Sequence, residues 1–414
     1  MPETPQNKAI LFTNLDEWLS HLETAHPVGI DMGLVRINRV KESLGLQFHC
    51  PVITVGGTNG KGSTCAFLES ILLASGYRVA CHTSPHLLRF HERARIQGRE
   101  ATDAELLQSF NRIEQARCRI ENAPTLTYFE FTTLAIMDLF ANAGIDVAIL
   151  EVGMGGRLDA VNIVDADCAI VTSIDLDHMA YLGNTREAIA FEKAGIIKNN
   201  IPVVIGEYLA ETKPVFTTKA KETHSELYFA SDLVLEDYPC GLLGDYQFYN
   251  KKTVIQTLRV LQEKQLLQIS EDDIKNGFLK VIDNTHLQGR WQQLGTNPKI
   301  ICDTAHNAHG LTVVIEQLKK EKYNQLHLVL GVVNDKKLDD ILILLPKNAQ
   351  YYFCKPNISR GLEATVLQEK AATFGLNGAI YNSVSEAYEH SRKMAAAEDF
   401  IYVGGSTFVV AEIL

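Results

Sequence analysis

The stretch VITVGGTNGKGST, residues 52–64, decides the fold. A short β-branched run, Val52 to Val55, enters a glycine-rich turn that carries Lys61 and ends in Ser63 and Thr64. An amphipathic stretch follows to Ser75, with apolar Phe67, Leu68, Ile71 and Leu72 at helical spacing. Gly76 stops it as a helix C-terminal glycine would. Strand, glycine turn, lysine, hydroxyl and helix make the layout of a phosphate cradle. Backbone N–H groups and the positive helix end face the phosphates. The lysine neutralises the outer phosphates and a hydroxyl oxygen ligates magnesium. The match to G-x-x-x-x-G-K-[ST] is imperfect: Val55 stands where the first glycine belongs, and Gly62 separates Lys61 from Ser63. A bare Gly-x-x-Gly-Lys-x-[Ser/Thr] arises by chance in on the order of one in a hundred chains this long. The flanking strand and helix are what weigh against a ligand-free glycine turn.

A chain of 414 residues suggests two domains rather than one. The hydrophobic share of 46% is ordinary for a chain with a real core. The net charge of −11, with no long basic block, argues against a nucleic-acid partner. It leaves room for an anionic ligand held by a local loop. Eight cysteines are scattered from Cys50 to Cys354 without C-x-x-C spacing, so they read as core residues of a reducing compartment. The opening MPETPQNKAI is polar and has no apolar h-region. No apolar run approaches the length of a membrane span. The expectation is a cytoplasmic enzyme, free of membranes and monomeric.

Strand-like runs alternate with helix-like stretches almost throughout. Arg78 to Thr83, Asp146 to Val152, Ala169 to Ile174 and Pro202 to Ile205 are examples. Such alternation predicts α/β architecture with a mostly parallel sheet. Around Asp283 to Thr296 the pattern breaks into polar, glycine-containing sequence. It resumes with Lys299 to Cys302, Leu326 to Val332, Gln350 to Cys354 and Phe400 to Val403. The domain boundary is therefore placed near residue 288: a phosphate-loop domain over 1–287 and a smaller α/β domain over 288–414.

Ligands of open α/β sheets sit outside the carboxyl ends of the strands. Four polar clusters fall at such ends: the phosphate loop, Thr83-Ser84-Pro85-His86, Glu151 before Gly153-Met154-Gly155-Gly156, and Asp175, Asp177 and His178. They should converge on one edge of one sheet. Each has a plain alternative. Ser84-Pro85 is also a turn, Glu151 a buried partner for Arg157, His178 a loop histidine, and Asp175 and Asp177 helix N-caps. Magnesium beside a phosphate loop favours hard oxygen ligands, which suits a carboxylate plus a serine hydroxyl better than a histidine.

These segments resemble the Mur ligase superfamily of ATP-dependent amide-forming enzymes. Within it they resemble the folate branch, the bacterial dihydrofolate synthase/folylpolyglutamate synthases. The likeness runs through His26–Arg36 (HPVGIDMGLVR), Gly57–Thr64 (GTNGKGST), Thr83–Arg93 (TSPHLLRFHER) and Tyr128–Thr133 (YFEFTT). It continues through Leu150–Val164, Thr172–Gly183, Phe191–Lys198, Gly289–Trp291 (GRW) and Asp303–Gly310 (DTAHNAHG). The loop is common to the superfamily; the SPH and EVG-x-GGRLDA segments point to the folate branch.

The resemblance implies a Mur-type central domain plus a Rossmann-like second domain that completes a cleft for ATP and glutamate. Gly57, Thr58, Asn59, Gly60, Lys61, Gly62, Ser63 and Thr64 would hold the triphosphate. Ser84, Glu151 and His178 would bind magnesium, with Ser63 near a second ion. Lys193 matches the family lysine that becomes carbamylated and would add an oxygen ligand; read without the family, it is a solvated helix lysine. Arg290 would reach the phosphates, Asp303 the nucleotide, and His306 the glutamate or nucleotide. Asp159 with Tyr128, Phe129 and Phe131 would lie near the pterin-bearing acceptor. Lys61, Lys193, His178 and His306 would serve catalysis. The implied reaction is ATP-dependent addition of L-glutamate to dihydropteroate and to reduced folates through an acyl phosphate. The alternatives are a monofunctional folylpolyglutamate synthase, a peptidoglycan-precursor ligase, and a nucleotide switch without ligase activity. Thr304 and Ala308 depart from the usual D-G-A-H-N-P, Tyr246 stands where histidine is usual, and Val161 replaces a common threonine.

Overall fold

The computed structural model describes residues 9–236, 238–334 and 338–414; the polar residues 1–8 lie outside these. The chain forms two units, Met1–Pro239 with Phe248–His286, and Cys240–Gln247 with Leu287–Leu414. Each carries a mostly parallel sheet flanked by helices, as the alternation predicts.

The sheet of the first unit contains β1 (Val52–Gly56), β2 (Val79–His82), β3 (Ala94–Ile96), β4 (Arg99–Glu100), β5 (Val147–Glu151), β6 (Cys168–Val171), β7 (Val203–Ile205) and β8 (Leu227–Phe229). Their order is β4-β3-β2-β5-β1-β6-β7-β8. The β2–β3 and β3–β4 pairs are antiparallel and the others parallel. Every residue of β1 and β5 is buried. Helices cover both faces of a parallel sheet, which is why its strands read as unbroken apolar runs.

Lys61–Ala74 is helical, and Gly76 ends it at φ +83°, with its N–H on the Leu73 carbonyl at 3.0 Å. The amphipathic reading of this helix needs correction, because Ser63 to Leu72 are all buried. A second helix, Glu271–Leu279, covers the face that would otherwise meet water. Ser70 Oγ donates to the Gly277 carbonyl at 2.7 Å, and Phe67 meets Phe278 edge-on at 5.0 Å. Burying Phe67, Leu68, Ile71 and Leu72 contributes ~2 kcal/mol each. The helix also buries Glu69, paired with Arg95 at 2.7 Å.

The second unit contains β9 (Gln292–Thr296), β10 (Lys299–Cys302), β11 (Leu326–Leu330), β12 (Ala349–Phe353), β13 (Gly378–Ile380) and β14 (Phe400–Gly404), in the order β13-β12-β11-β14-β10-β9. Among these strands the β9–β10 pair is antiparallel and the other pairs are parallel. β9 lies in the stretch whose polar sequence reads as a break. It is an edge strand that is never fully buried, so it lacks the apolar signature. The short segment Cys240–Gln247 belongs to this unit: Asp245 N–H donates to Gln317 Oε1 at 3.1 Å, and its carboxylate meets Lys320 at 2.7 Å. Among the described residues no helix is long and apolar enough to cross a membrane.

Candidate active site

β2, β5, β1 and β6 are consecutive neighbours, so the four polar clusters share one edge of one sheet. The glycine loop, residues 57–64, is laced to the end of β6. Thr58 N–H donates to the Ser173 carbonyl at 2.8 Å, and Asn59 N–H to Ser173 Oγ at 3.1 Å. Thr172 Oγ1 donates to the Asn59 carbonyl at 2.6 Å, and Asp175 N–H to Thr58 Oγ1 at 3.0 Å. Gly57 has φ +140°, and a Cβ there would stand 2.9 Å from the Thr172 nitrogen. Gly60, at φ +84°, is the N-cap of the Lys61 helix. Glycine is therefore required at both positions.

Two lysines converge on one carbonyl. Lys61 Nζ donates to the Gly57 oxygen at 3.0 Å and to the Thr58 oxygen at 3.1 Å; Lys193 Nζ donates to the same Gly57 oxygen at 2.9 Å. Lys193 is only 4% exposed, which overturns the solvated reading. Burial, with the nearby Lys61 charge, pulls its pKa down to about 7 against the opposing pull of Asp177 and Asp159. The helix Arg186–Ala194 holds it there. Thr185 caps that helix, and Arg157 grips Glu192 through its main-chain N–H at 2.8 Å and its guanidinium at 2.9 Å. Arg157 thus pairs with Glu192 and does not serve Glu151.

Glu151 ends β5 and accepts the Ser84 N–H at 3.0 Å. Ser84 Oγ is buried and has no hydrogen-bond partner among the described residues. Asp175 pairs with Arg186 at 3.0 Å, and Asp177 accepts the His178 N–H at 2.9 Å. Neither aspartate is a helix N-cap, because His178 and Thr185 hold those positions. His178 adopts φ +49°, a turn conformation directly after Asp177.

Asp159 is buried and accepts main-chain N–H groups from Met154 at 2.8 Å and Val161 at 2.9 Å. Burial raises its pKa to about 6, opposed by these donors and by Lys61. Thr127 and Glu130 form a capping box that starts the helix Tyr128–Ala141. Tyr128 opens this helix, and the Phe129 ring packs against Gly153. Phe131 is a correction: at 2% exposure it sits in the core between Trp18 at 5.3 Å and Phe110 at 5.5 Å, unavailable to a substrate.

The sequence reading assigned no role to Arg93, although it lies in the TSPHLLRFHER segment. Its Nε donates to His86 Nδ1 at 2.8 Å, and its guanidinium lies over the Phe90 ring at 5.7 Å and the Tyr128 ring at 6.0 Å. Burial lowers the pKa of Arg93 and pulls that of His86 down to about 4. The signal available was the pair Arg93 and Arg95, one ending the 3-10 turn Phe90–Arg93 and the other on β3.

The second unit presents its own strand-end cluster. Asp303 follows β10 and accepts the Tyr246 hydroxyl at 2.8 Å, the Trp291 N–H at 2.7 Å and the Ala305 N–H at 2.8 Å. His306 Nδ1 lies 3.0 Å from the Thr304 carbonyl. The departures have local explanations. Thr304 Oγ1 bonds the Gly289 carbonyl at 3.1 Å and contacts Arg290. Ala308 is the first residue of its helix, where proline and alanine both fit. Val161 is wholly buried.

Among the described residues no group of three or more His, Cys, Asp or Glu is placed to hold a metal ion. The donors that fit magnesium are instead hard and mixed: the partnerless Ser84 hydroxyl beside the Glu151 carboxylate, with Ser63 in the loop.

Residues 55–232 match the Mur ligase middle domain and residues 289–407 the Mur ligase glutamate ligase domain. The chain is 38% identical to the dihydrofolate synthase/folylpolyglutamate synthase of Escherichia coli, over 97% of this chain and 94% of that one. It is also 38% identical to the Haemophilus influenzae protein of the same name, over 96% of each. The structure of E. coli FolC in complex with DHPP and ADP superposes with a TM-score of 0.89 at 38% identity, covering 97% of both chains. A bifunctional folylpolyglutamate synthase/dihydrofolate synthase with Mn, AMPPNP and L-glutamate bound gives 0.87 at 35% identity, covering 98% of both. The phosphate loop, the strand-end carboxylates and this end-to-end likeness agree: the chain belongs to the dihydrofolate synthase/folylpolyglutamate synthase family of Mur ligases.

Proposed function

We propose that this chain is an ATP-dependent ligase that adds L-glutamate to dihydropteroate, forming dihydrofolate, and to reduced folates, forming folylpolyglutamates. The observation that carries this reading is 38% identity, across 97% of the chain, to relatives named for both activities. The ATP γ-phosphoryl passes to the acceptor carboxylate to give an acyl phosphate. The glutamate amine attacks that carbon, and phosphate leaves. An acyl phosphate hydrolyses in water, so the reacting carboxylate must be shielded from solvent. Because dihydropteroate and a reduced folate present different carboxylates, both must reach the same phosphoryl group.

The loop Gly57 to Thr64 binds the triphosphate with main-chain N–H groups, and Lys61 spreads the charge that builds during transfer. Ser63, Ser84, Glu151 and His178 would hold magnesium, as two ions, together with the carbamate oxygens of a carbamylated Lys193. Bound there, magnesium offsets the mutual repulsion of two anions. A buried amine with a pKa near 7 is neutral often enough to add CO2, releasing a proton to solvent. The carbamate then attracts Lys61, where the ammonium repelled it. Arg290, Asp303 and His306 serve the nucleotide and glutamate; Asp159, Tyr128 and Phe129 line the acceptor. The protein would act as a cytoplasmic monomer away from membranes, and its net charge of −11 disfavours a nucleic-acid partner.

The test is ADP release with ATP, magnesium and L-glutamate, comparing dihydropteroate with tetrahydrofolate and weighing the products by mass spectrometry. One glutamate added to each acceptor is expected. Turnover on tetrahydrofolate alone would reduce the assignment to a folylpolyglutamate synthase, and no folate-dependent turnover would remove it.

A further inference from the structure

Asp303 is buried at the end of β10, and burial raises its pKa. A carboxylate offers about four acceptor positions. Three are filled from within the second unit: two on Oδ2, by the Tyr246 hydroxyl and the Trp291 N–H, and one on Oδ1, by the Ala305 N–H. The position left on Oδ1 takes a donor. Nucleotide phosphates are acceptors and share the carboxylate's sign, so the complementary partner is a hydroxyl or amino group of the nucleoside.

Two of the three inner donors are main chain, from Ala305 and from Trp291. The third comes from a side chain 57 positions away in sequence. Its ring packs on the core of the second unit, which fixes where the hydroxyl can point. Arg290 is the competing partner: its charge acts on Asp303, while its guanidinium rests on Thr304 and, at 3.2 Å, on the Gly289 carbonyl. A carboxylate freed on Oδ2 would turn toward that arginine.

We propose that Tyr246 is a positioning residue for nucleoside recognition: its hydroxyl holds Asp303 in the rotation that presents Oδ1 to the nucleoside and keeps Arg290 free for phosphate. This rests on the reading of Asp303 as a nucleotide contact. An imidazole N–H at this position could donate in place of the phenol O–H.

The experiment compares full-length Tyr246→Phe, Tyr246→His and Asp303→Asn, measuring ADP binding by calorimetry and the KM for ATP beside kcat. Tyr246→Phe should weaken ADP binding and raise KM about tenfold, the effect of one hydrogen bond to a charged group. Its kcat should change far less, and Tyr246→His should recover most of the loss. Wild-type ADP affinity in Tyr246→Phe, with a loss in Asp303→Asn, overturns the positioning role. Equal losses in the phenylalanine and histidine variants also overturn it, because ring packing and not the donor then matters. Wild-type affinity in Asp303→Asn removes the underlying assignment of Asp303 instead. Should Tyr246→Phe not fold, Tyr246→His decides alone: retained affinity supports the donor, and lost affinity overturns it.

Discussion

Replacing Lys193 with methionine should stabilise the protein in acid while destroying its activity. Lys193 falls from 10.5 to about 7 on burial, so the folded chain resists the proton by ~5 kcal/mol. The unfolded lysine keeps its proton up to 10.5; the folded one keeps it only below about 7. Between those values the unfolded state holds more protons, and stability climbs by ~1.4 kcal/mol per pH unit. Below about 7 both states are charged and the whole penalty applies. Methionine removes the charge at similar length but forfeits the bond to the Gly57 carbonyl, worth ~1 kcal/mol. Lys193→Met should therefore be more stable than wild type by up to ~4 kcal/mol near pH 6. That advantage should shrink steadily and vanish as pH approaches the free-lysine value. Urea midpoints in CO2-free, magnesium-free buffer across this range measure the gap. Adding bicarbonate should then stabilise the wild type alone, as a carbamate forms that only the folded state favours. A gap that stays constant with pH, or a variant less stable in acid, would refute the reasoning.

Lys61→Ala should abolish folate-dependent ADP release without changing the circular dichroism spectrum; near-normal ADP formation would sink the assignment. Gly57→Ala places a methyl group against Thr172 at a backbone angle that alanine resists, so ADP affinity should fall by roughly tenfold or more in calorimetry. Ser84→Ala deletes a buried hydroxyl with no partner, so the melting temperature should hold or rise while the magnesium concentration for half-maximal turnover increases. Glu69→Gln leaves Arg95 buried without its counter-charge and should cost ~3–5 kcal/mol in urea denaturation. The double change Glu69→Leu with Arg95→Met should recover most of that loss.

Much of this was legible in the sequence because strand-end chemistry is local. Val52 to Val55 and the glycine turn after it fixed one strand and its loop, and the same pattern placed Ser84, Glu151 and Asp175. What spacing could not reveal was which side chains cross between elements. Lys193 looks like any helix lysine, yet its amine is buried on the Gly57 carbonyl. Phe131 sits beside Tyr128 and Phe129 in sequence, yet a helical turn sends it into the core with Trp18. Helix Lys61–Ala74 seemed half-exposed because its cover, Glu271–Leu279, lies some two hundred residues downstream. β9 was invisible because an edge strand need not be apolar.

The strap Cys240–Gln247 bears on how the molecule is made. It leaves the ribosome before Asp303, Gln317 and Lys320, the residues that anchor it. The second unit therefore cannot close until the chain has passed through the last helices of the first, whereas the first has all its residues before Leu287 is made. A fragment beginning at Leu287 would be born without Tyr246 and the buried Leu242. Splitting this protein for expression, labelling or fusion calls for a cut that carries the strap along, such as a circular permutation through an exposed loop of the first unit.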